Sequence, residues 1–237
     1  MSYHYVGAEL TLFAAATNWK AYVGHVLGRY IAGRVLEVGA GIGGNTGHLV
    51  NARVKEWTCL EPDPDQACLI RKRVQAGEIR PTCRVVTGTT ENIPRDTQFD
   101  TILYLDVLEH IADDRAELAR VRPHLAEQGN LVVLAPAHQY LFSPFDAAVG
   151  HHRRYDRASL GAQTPSGCRL EAFLMLDCAG FFASLANRMM LSAPLPSQRQ
   201  IAVWDKLLVP ISRLLDPLTG HKFGKTAVAV WRTSRES

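Results

Sequence analysis

The sequence predicts an α/β fold: a doubly wound, mostly parallel sheet of seven strands with helices on both faces and a cap or insertion after the fifth strand. Three observations predict it. Between residues 35 and 136, short apolar runs alternate with amphipathic segments of helix length, the pattern of a parallel sheet with right-handed crossovers. Directly after the first run comes Gly39-Ala40-Gly41-Ile42-Gly43-Gly44, where the backbone can turn tightly and approach a ligand without a Cβ in the way. Glu37, Glu61, Asp106 and Pro136 fall at the ends of successive runs, which are the carboxyl ends of the strands, where folds of this kind place their ligands.

The elements follow in order. Ala8 to Tyr30 has apolar positions at mostly helical spacing and predicts one or two helices, an N-terminal cap over residues 1–30. Arg34 to Val38 is a buried first strand, and a helix begins from Gly43 to Val50. Trp57 to Leu60 is the second strand; it leads into Glu61-Pro62-Asp63-Pro64, and the second proline opens a helix over Asp65 to Ala76. Arg84 to Val86 is the third strand, and the fourth, Phe99 to Val107, is apolar enough to be buried on both faces. Asp113 to His124 is helical, and Gly129-Asn130 turns the chain into a fifth strand, Leu131 to Leu134, closed by Ala135-Pro136. There the alternation breaks, and the polar, aromatic and basic stretch that follows is read as a substrate-side insertion over residues 138–160. Strands at Arg169 to Leu176 and Thr226 to Thr233, with helices at Ala179 to Met190 and Ile201 to Leu215, complete the fold.

At 237 residues the chain suits one domain, 1–237, and its 47% hydrophobic and 21% charged composition is that of an ordinary globular protein. A formal net charge of +3 gives no field for nucleic acid, although Lys and Arg outnumber Asp and Glu from Arg188 onward. The five cysteines include no CxxC pair, which argues against a disulfide framework and a structural zinc; no metal is expected, and a reducing cytoplasm fits. Glu9, Asn18 and Lys20 interrupt the start, so no signal peptide is expected.

The glycine spacing leaves two ligands open. Gly39, Gly41 and Gly44 satisfy the dinucleotide pattern GxGxxG, and acidic Glu61 follows about 20 residues on. Glu37, two residues before the first glycine, favours a ligand with an ammonium group and would repel a pyrophosphate. Glu61 can accept hydrogen bonds from two adjacent ribose hydroxyls.

Leu36 to Asn45 resembles motif I of the class I S-adenosylmethionine-dependent methyltransferases, which have a Rossmann-like fold. Tyr104 to Ile111 (YLDVLEHI) resembles the fourth-strand segment of methyltransferases related to those of quinone biosynthesis, with a type 11 or 12 domain. The resemblance covers Val35 to Ala137 best. It implies S-adenosylmethionine as cofactor and S-adenosylhomocysteine as product, bound by Glu37, Gly39, Gly41, Gly43, Glu61, Pro62, Thr89, Thr90, Asp106 and Val107. Gly88 to Pro94 stands where the family binds adenine; Thr89 replaces the usual acid, so either Glu91 substitutes or backbone and apolar walls hold the base, and a helix-capping turn is an equal alternative.

Three catalytic candidates follow. His110, one turn beyond Asp106, has an imidazole suited to taking a proton from an attacking hydroxyl or amine, or it only packs against the loop. Within the insertion, Asp146 and His151 are further candidate bases, and Tyr140, Arg153, Arg154 and Tyr155 are candidate substrate contacts. The structural alternative pairs Arg153 and Arg154 with Asp146 and Asp156 to pin the loop. Ala172 to Ala193 is apolar but interrupted before it reaches bilayer length, so it is core, a dimer face or a peripheral membrane contact, not a transmembrane span. The expectation is a cytoplasmic monomer or homodimer that methylates O or N of a small-molecule acceptor (a metabolite, sugar or lipid-linked compound), with no nucleic-acid partner. The alternatives are a dinucleotide-dependent oxidoreductase and a non-catalytic partner that keeps the cofactor fold.

Overall fold

The computed structural model describes residues 12–80, 82–190 and 196–234. Seven strands form one sheet: β1 (Gly33–Val38), β2 (Val54–Glu61), β3 (Cys83–Thr87), β4 (Phe99–Leu105), β5 (Leu125–Pro136), β6 (Cys168–Leu176) and β7 (Thr226–Thr233), in the order β3-β2-β1-β4-β5-β7-β6. The pairs β1–β2, β1–β4, β2–β3 and β4–β5 are parallel, whereas β7 runs antiparallel to both β5 and β6. The chain leaves β1 toward β2 and β3, then returns to build β4 and β5 on the other side. That reversal opens a crevice at the carboxyl ends of β1 and β4.

Alternation along the central strands supplies two cores. Val35, Leu103, Leu105, Val132, Leu134, Val228 and Val230 face one layer with Tyr22, Leu27 and Ile70, while Leu36, Ile102, Tyr104, Leu131, Val133 and Trp231 face the other with Leu118, Val121 and Leu160. Because successive side chains serve opposite cores, these strands read as unbroken apolar runs.

The helices are α1 (Thr17–Leu27), α2 (Thr46–Leu49), α3 (Pro64–Gln75), α4 (Asp114–Val121), α5 (Pro144–Ala148), α6 (Arg157–Ala162), α7 (Cys178–Met190), α8 (Gln198–Val203) and α9 (Val209–Leu218). Asp63 caps α3 by accepting from the N–H groups of Asp65 and Gln66, and Pro64 occupies its first turn.

The structure corrects several boundaries. Gly129-Asn130 is no turn between elements but lies inside β5, where Gln128 takes a φ of +57° and the register jumps from Phe99↔Leu125 to Thr101↔Asn130. The helix expected from Gly43 shrinks to α2, because Gly41 to Asn45 are used up in the turn. The helix expected over Ile201 to Leu215 runs from Gln198 to Leu218 through a π-helical turn at Trp204–Leu208. The Ala172 to Ala193 stretch divides into β6 and α7, and its last residues, like the cap before residue 12, lie outside the described residues.

Candidate active site

The turn after β1 is built by three glycines in the left-handed region, with φ of +65° at Gly39, +58° at Gly41 and +71° at Gly43. Leu60 O accepts from the N–H groups of Gly39 and Ala40 at 2.8 and 3.2 Å. Glu61 then bridges the turn to its own loop: Oε2 accepts from Gly41 N at 2.7 Å and Oε1 from Asp63 N at 2.9 Å. Burial pushes its carboxyl up to about 7. Each oxygen keeps a second lone pair, so an adjacent pair of hydroxyls can still be accepted. Pro62, half-buried, continues the rim.

Glu37 is turned into the interior. Its Oε2 accepts from Thr46 Oγ1 at 2.7 Å and Trp57 Nε1 at 3.0 Å, which ties the start of α2 to β2. At 2% exposure, burial raises its carboxyl to about 7. In the expected adenine segment, Thr89 is exposed and forms a capping box with Asn92, whereas Thr90 points inward and donates to Glu117 at 2.9 Å. Glu91 pairs with Arg120 across 3.5 Å.

Opposite the glycine turn, β4 ends in Asp106, whose φ is +53°, and Val107, whose Cγ2 would lie 2.7 Å from a Cβ built on Gly39. The two loops therefore pack directly on each other at the crevice. Asp106 is exposed at this crevice, the recess between the two loops, and desolvation by the surrounding protein pushes its carboxyl up to about 6, against the pull of His151 and Lys225.

Beyond Asp106 the insertion closes on β4. Asp146, fully buried, accepts from His151 Nδ1 at 2.9 Å, from Arg154 Nε and Nη2 at 2.9 Å each, and from Ser143 N and Oγ at 2.8 and 2.9 Å. Burial alone would raise its carboxyl, but the His151 and Arg154 hydrogen bonds and the Arg154 charge hold it well below the usual carboxylate range. His110 stands edge-on to His151 with ring centroids 4.6 Å apart, and burial, with His151 beside it, lowers its imidazole to about 4.

Arg154 therefore braces Asp146 instead of facing the recess. Arg153 pairs with Asp114 at 2.7 Å and donates to Ala112 O, and the hydroxyl of Tyr155, 1% exposed, donates to Asp114 at 2.7 Å. The expected substrate contacts Arg153, Arg154 and Tyr155 are thus loop-pinning residues; the partner of Arg153 is Asp114, not Asp156. Tyr140 is 55% exposed against His138 and Phe181 and remains open to an acceptor.

Sequence reasoning missed two residues. Glu109 is fully buried and neither carboxylate oxygen has a hydrogen-bond partner; its Oε1 is 3.9 Å from His151 Nε2, and burial, with Asp106 nearby, raises its carboxyl well above the usual range. It stood inside the YLDVLEHI string, but nothing in that string says which side chains turn inward. Lys225 reaches the recess from the loop before β7, its Nζ 3.3 Å from Asp177 and 4.2 Å from the Trp204 ring centroid. Glu109, His110 and His151 offer ligand atoms within 4.8 Å of one another, a carboxylate and two imidazoles with the donor chemistry of a divalent-metal site that no sequence spacing announced.

The donor set fits S-adenosylmethionine. A bent glycine turn gives close backbone approach, Glu61 offers paired acceptors at the end of β2, and Asp106 places an acid in the recess for a cationic group.

Comparison with known proteins agrees. The family model of a methyltransferase domain matches residues 36–131. A curated relative, ajmaline N-methyltransferase of Rauvolfia serpentina, is 23% identical over 183 residues, 76% of this chain and 58% of that protein, so the chain spans less than two thirds of its length. A putative sarcosine dimethylglycine methyltransferase from Galdieria sulphuraria superposes with a TM-score of 0.60 at 16% identity, covering 93% of this chain and 85% of that one. Coclaurine N-methyltransferase bound to N-methylheliamine and S-adenosylhomocysteine superposes with a TM-score of 0.59 at 14% identity, covering 90% and 72%. Motif, sheet order and family match coincide on the same strands: residues 36–131 match a methyltransferase domain, and the fold is the one these solved methyltransferases share.

Proposed function

We propose that the protein moves a methyl group from S-adenosylmethionine to an oxygen or nitrogen of a small-molecule acceptor in the recess beside Asp106. The observation that carries this reading is the packing of Gly39 against Val107, which sets the glycine turn and the Asp106 recess side by side. When bound, the cofactor supplies a methyl group activated by its sulfonium. Glu61, Pro62 and the glycine turn hold it, and Asp106 favours its positive charge. Thr89 offers only a hydroxyl toward the base, and Thr90 is committed to Glu117.

The acceptor loses a proton as it attacks. Of the three candidate bases, Asp146 is saturated with donors and too acidic, and His110 is a weak base at about 4. His151 is the better fit: its Nδ1 donates to Asp146, which fixes its tautomer and leaves Nε2 to receive the proton. The aromatic side chains of His138, Tyr140 and Phe181 give the acceptor an apolar wall.

Two measurements test this. S-adenosylhomocysteine at saturating concentration should raise the melting temperature by several degrees and NAD should not; no response to S-adenosylhomocysteine ends the proposal. With an acceptor in hand, His151→Ala should lower kcat about 100-fold or more while S-adenosylhomocysteine affinity holds, and His110→Ala should lower it far less. The reverse ranking would give the proton to His110.

A further inference from the structure

We propose that the outer face of the segment from α8 to α9 docks on the surface of an anionic lipid bilayer. The side chains of Val203, Leu207, Ile211, Leu214, Leu215 and Leu218 are 52%, 57%, 38%, 72%, 42% and 81% exposed. They recur three and four residues apart, so they form one continuous stripe along the helical segment. An amphipathic helix on a protein surface ordinarily turns such a stripe inward. Here the inner face is already filled by Ile201, Trp204, Val209, Ser212 and Asp216.

The charges are sorted in the same way. Both acids of the segment are turned into the protein: Asp205 accepts from the N–H groups of Asn18 and Trp19, and Asp216 from the Tyr22 hydroxyl and the N–H groups of Asp177 and Cys178. Arg199, Lys206, Arg213 and Lys222 are exposed. From residue 197 to residue 225 the surface thus presents leucines and cations with no exposed carboxylate. A second copy of the chain seated on this face would set those cations against their own images with no acid to pair them. Anionic headgroups supply the countercharge, and the acyl boundary below them takes the leucines. No helix among the described residues is long and apolar enough to cross a membrane, so the contact is with the surface.

Aromatic contacts run from this face toward the recess. Phe223, just beyond α9, packs against Phe182 and Phe181, and Phe181 against His138 and Tyr140 of the insertion. Docking would bring a membrane-borne compound to the mouth of the site, although the docking itself does not rest on methyl transfer.

Co-sedimentation of the full chain with vesicles tests it. Vesicles of phosphatidylcholine with phosphatidylglycerol should pellet the protein, pure phosphatidylcholine vesicles much less, and added salt should release it. The pair Leu214→Gln with Leu218→Gln, and separately the pair Lys206→Glu with Arg213→Glu, should each weaken binding by roughly ten-fold or more at an unchanged melting temperature. Because the two pairs remove different interactions, misfolding of one leaves the other as the test. Equal pelleting of wild type and both variants overturns the proposal, as does failure to bind anionic vesicles. A homodimer in light scattering that the leucine pair converts to monomer also overturns it, since a second copy would then cover the face.

Discussion

Glu37 shows what burial does to a single carboxylate. Its two strongest donors, Thr46 and Trp57, favour the ionised form, but desolvation outweighs them and its carboxyl stands near 7. An acid whose folded pKa is raised binds its proton more tightly folded than unfolded, so stability falls as pH rises from about 4.5 to about 7. Glu37→Gln keeps an acceptor for Trp57 and removes that slope. Relative to wild type, the variant should gain stability on going from pH 5 to pH 8, by on the order of 3 kcal/mol, read from urea midpoints at both pH values. Glu61 adds a slope of the same sign in both proteins, so the difference reports Glu37; identical pH dependence in the two would show that Glu37 is not the group that titrates. Sequence alone could place Glu37 beside the turn, but not choose its direction, because Trp57 and Cys59 come from a strand 20 and more residues away. The same limit left open whether the arginines of the insertion brace Asp146 or face an acceptor. Its pairing with Arg154 depends on the bend at α5 and leaves Arg153 to Asp114, on another helix.

At the scale of elements, the glycine turn and the end of β4 act as one unit. A Cβ on Gly39 would meet Val107 Cγ2 at 2.7 Å, and φ of +65° is strained for any L side chain. Gly39→Ala should therefore cost about 1–2 kcal/mol in backbone strain alone, more from the clash, and weaken S-adenosylhomocysteine binding. Adding Val107→Ala should return part of the affinity by clearing the clash while the strain stays; calorimetric titration of the two single variants and the double variant measures this. Strict additivity would separate the two loops. Gly41→Val, at φ +58° one step along, should abolish cofactor binding, and an unchanged affinity would move the cofactor off this turn. These elements were legible because a strand buried on both faces writes an unbroken apolar run and a tight turn writes glycine. The first half of β5 was not, because its bulge at Gln128-Gly129 has the composition of a turn and only the partner strand β4 shows that pairing continues through it.

Across the whole molecule, the sheet order follows from alternation as far as β5, after which position depends on contacts no local pattern carries. β7, last in sequence, enters between β5 and β6, and two buried carboxylates lock the segments that surround it. Asp177 accepts from Trp204 Nε1 at 2.6 Å and Ser212 Oγ at 2.7 Å, and pairs with Lys225 at 3.3 Å. Asp216 accepts from the Tyr22 hydroxyl at 2.7 Å, Asp177 N at 2.7 Å and Cys178 N at 3.0 Å, joining α1, α9 and the β6–α7 junction. Asp216→Ala would strand three buried donors at once, so it should cost about 3–5 kcal/mol, whereas Tyr22→Phe removes one donor and should cost about 2 kcal/mol. Urea denaturation decides: a loss below about 1 kcal/mol for Asp216→Ala would mean that α9 is held by its apolar contacts alone. The larger loss would mean that Asp216, held inward, fastens α9 to α1 and to the β6–α7 junction.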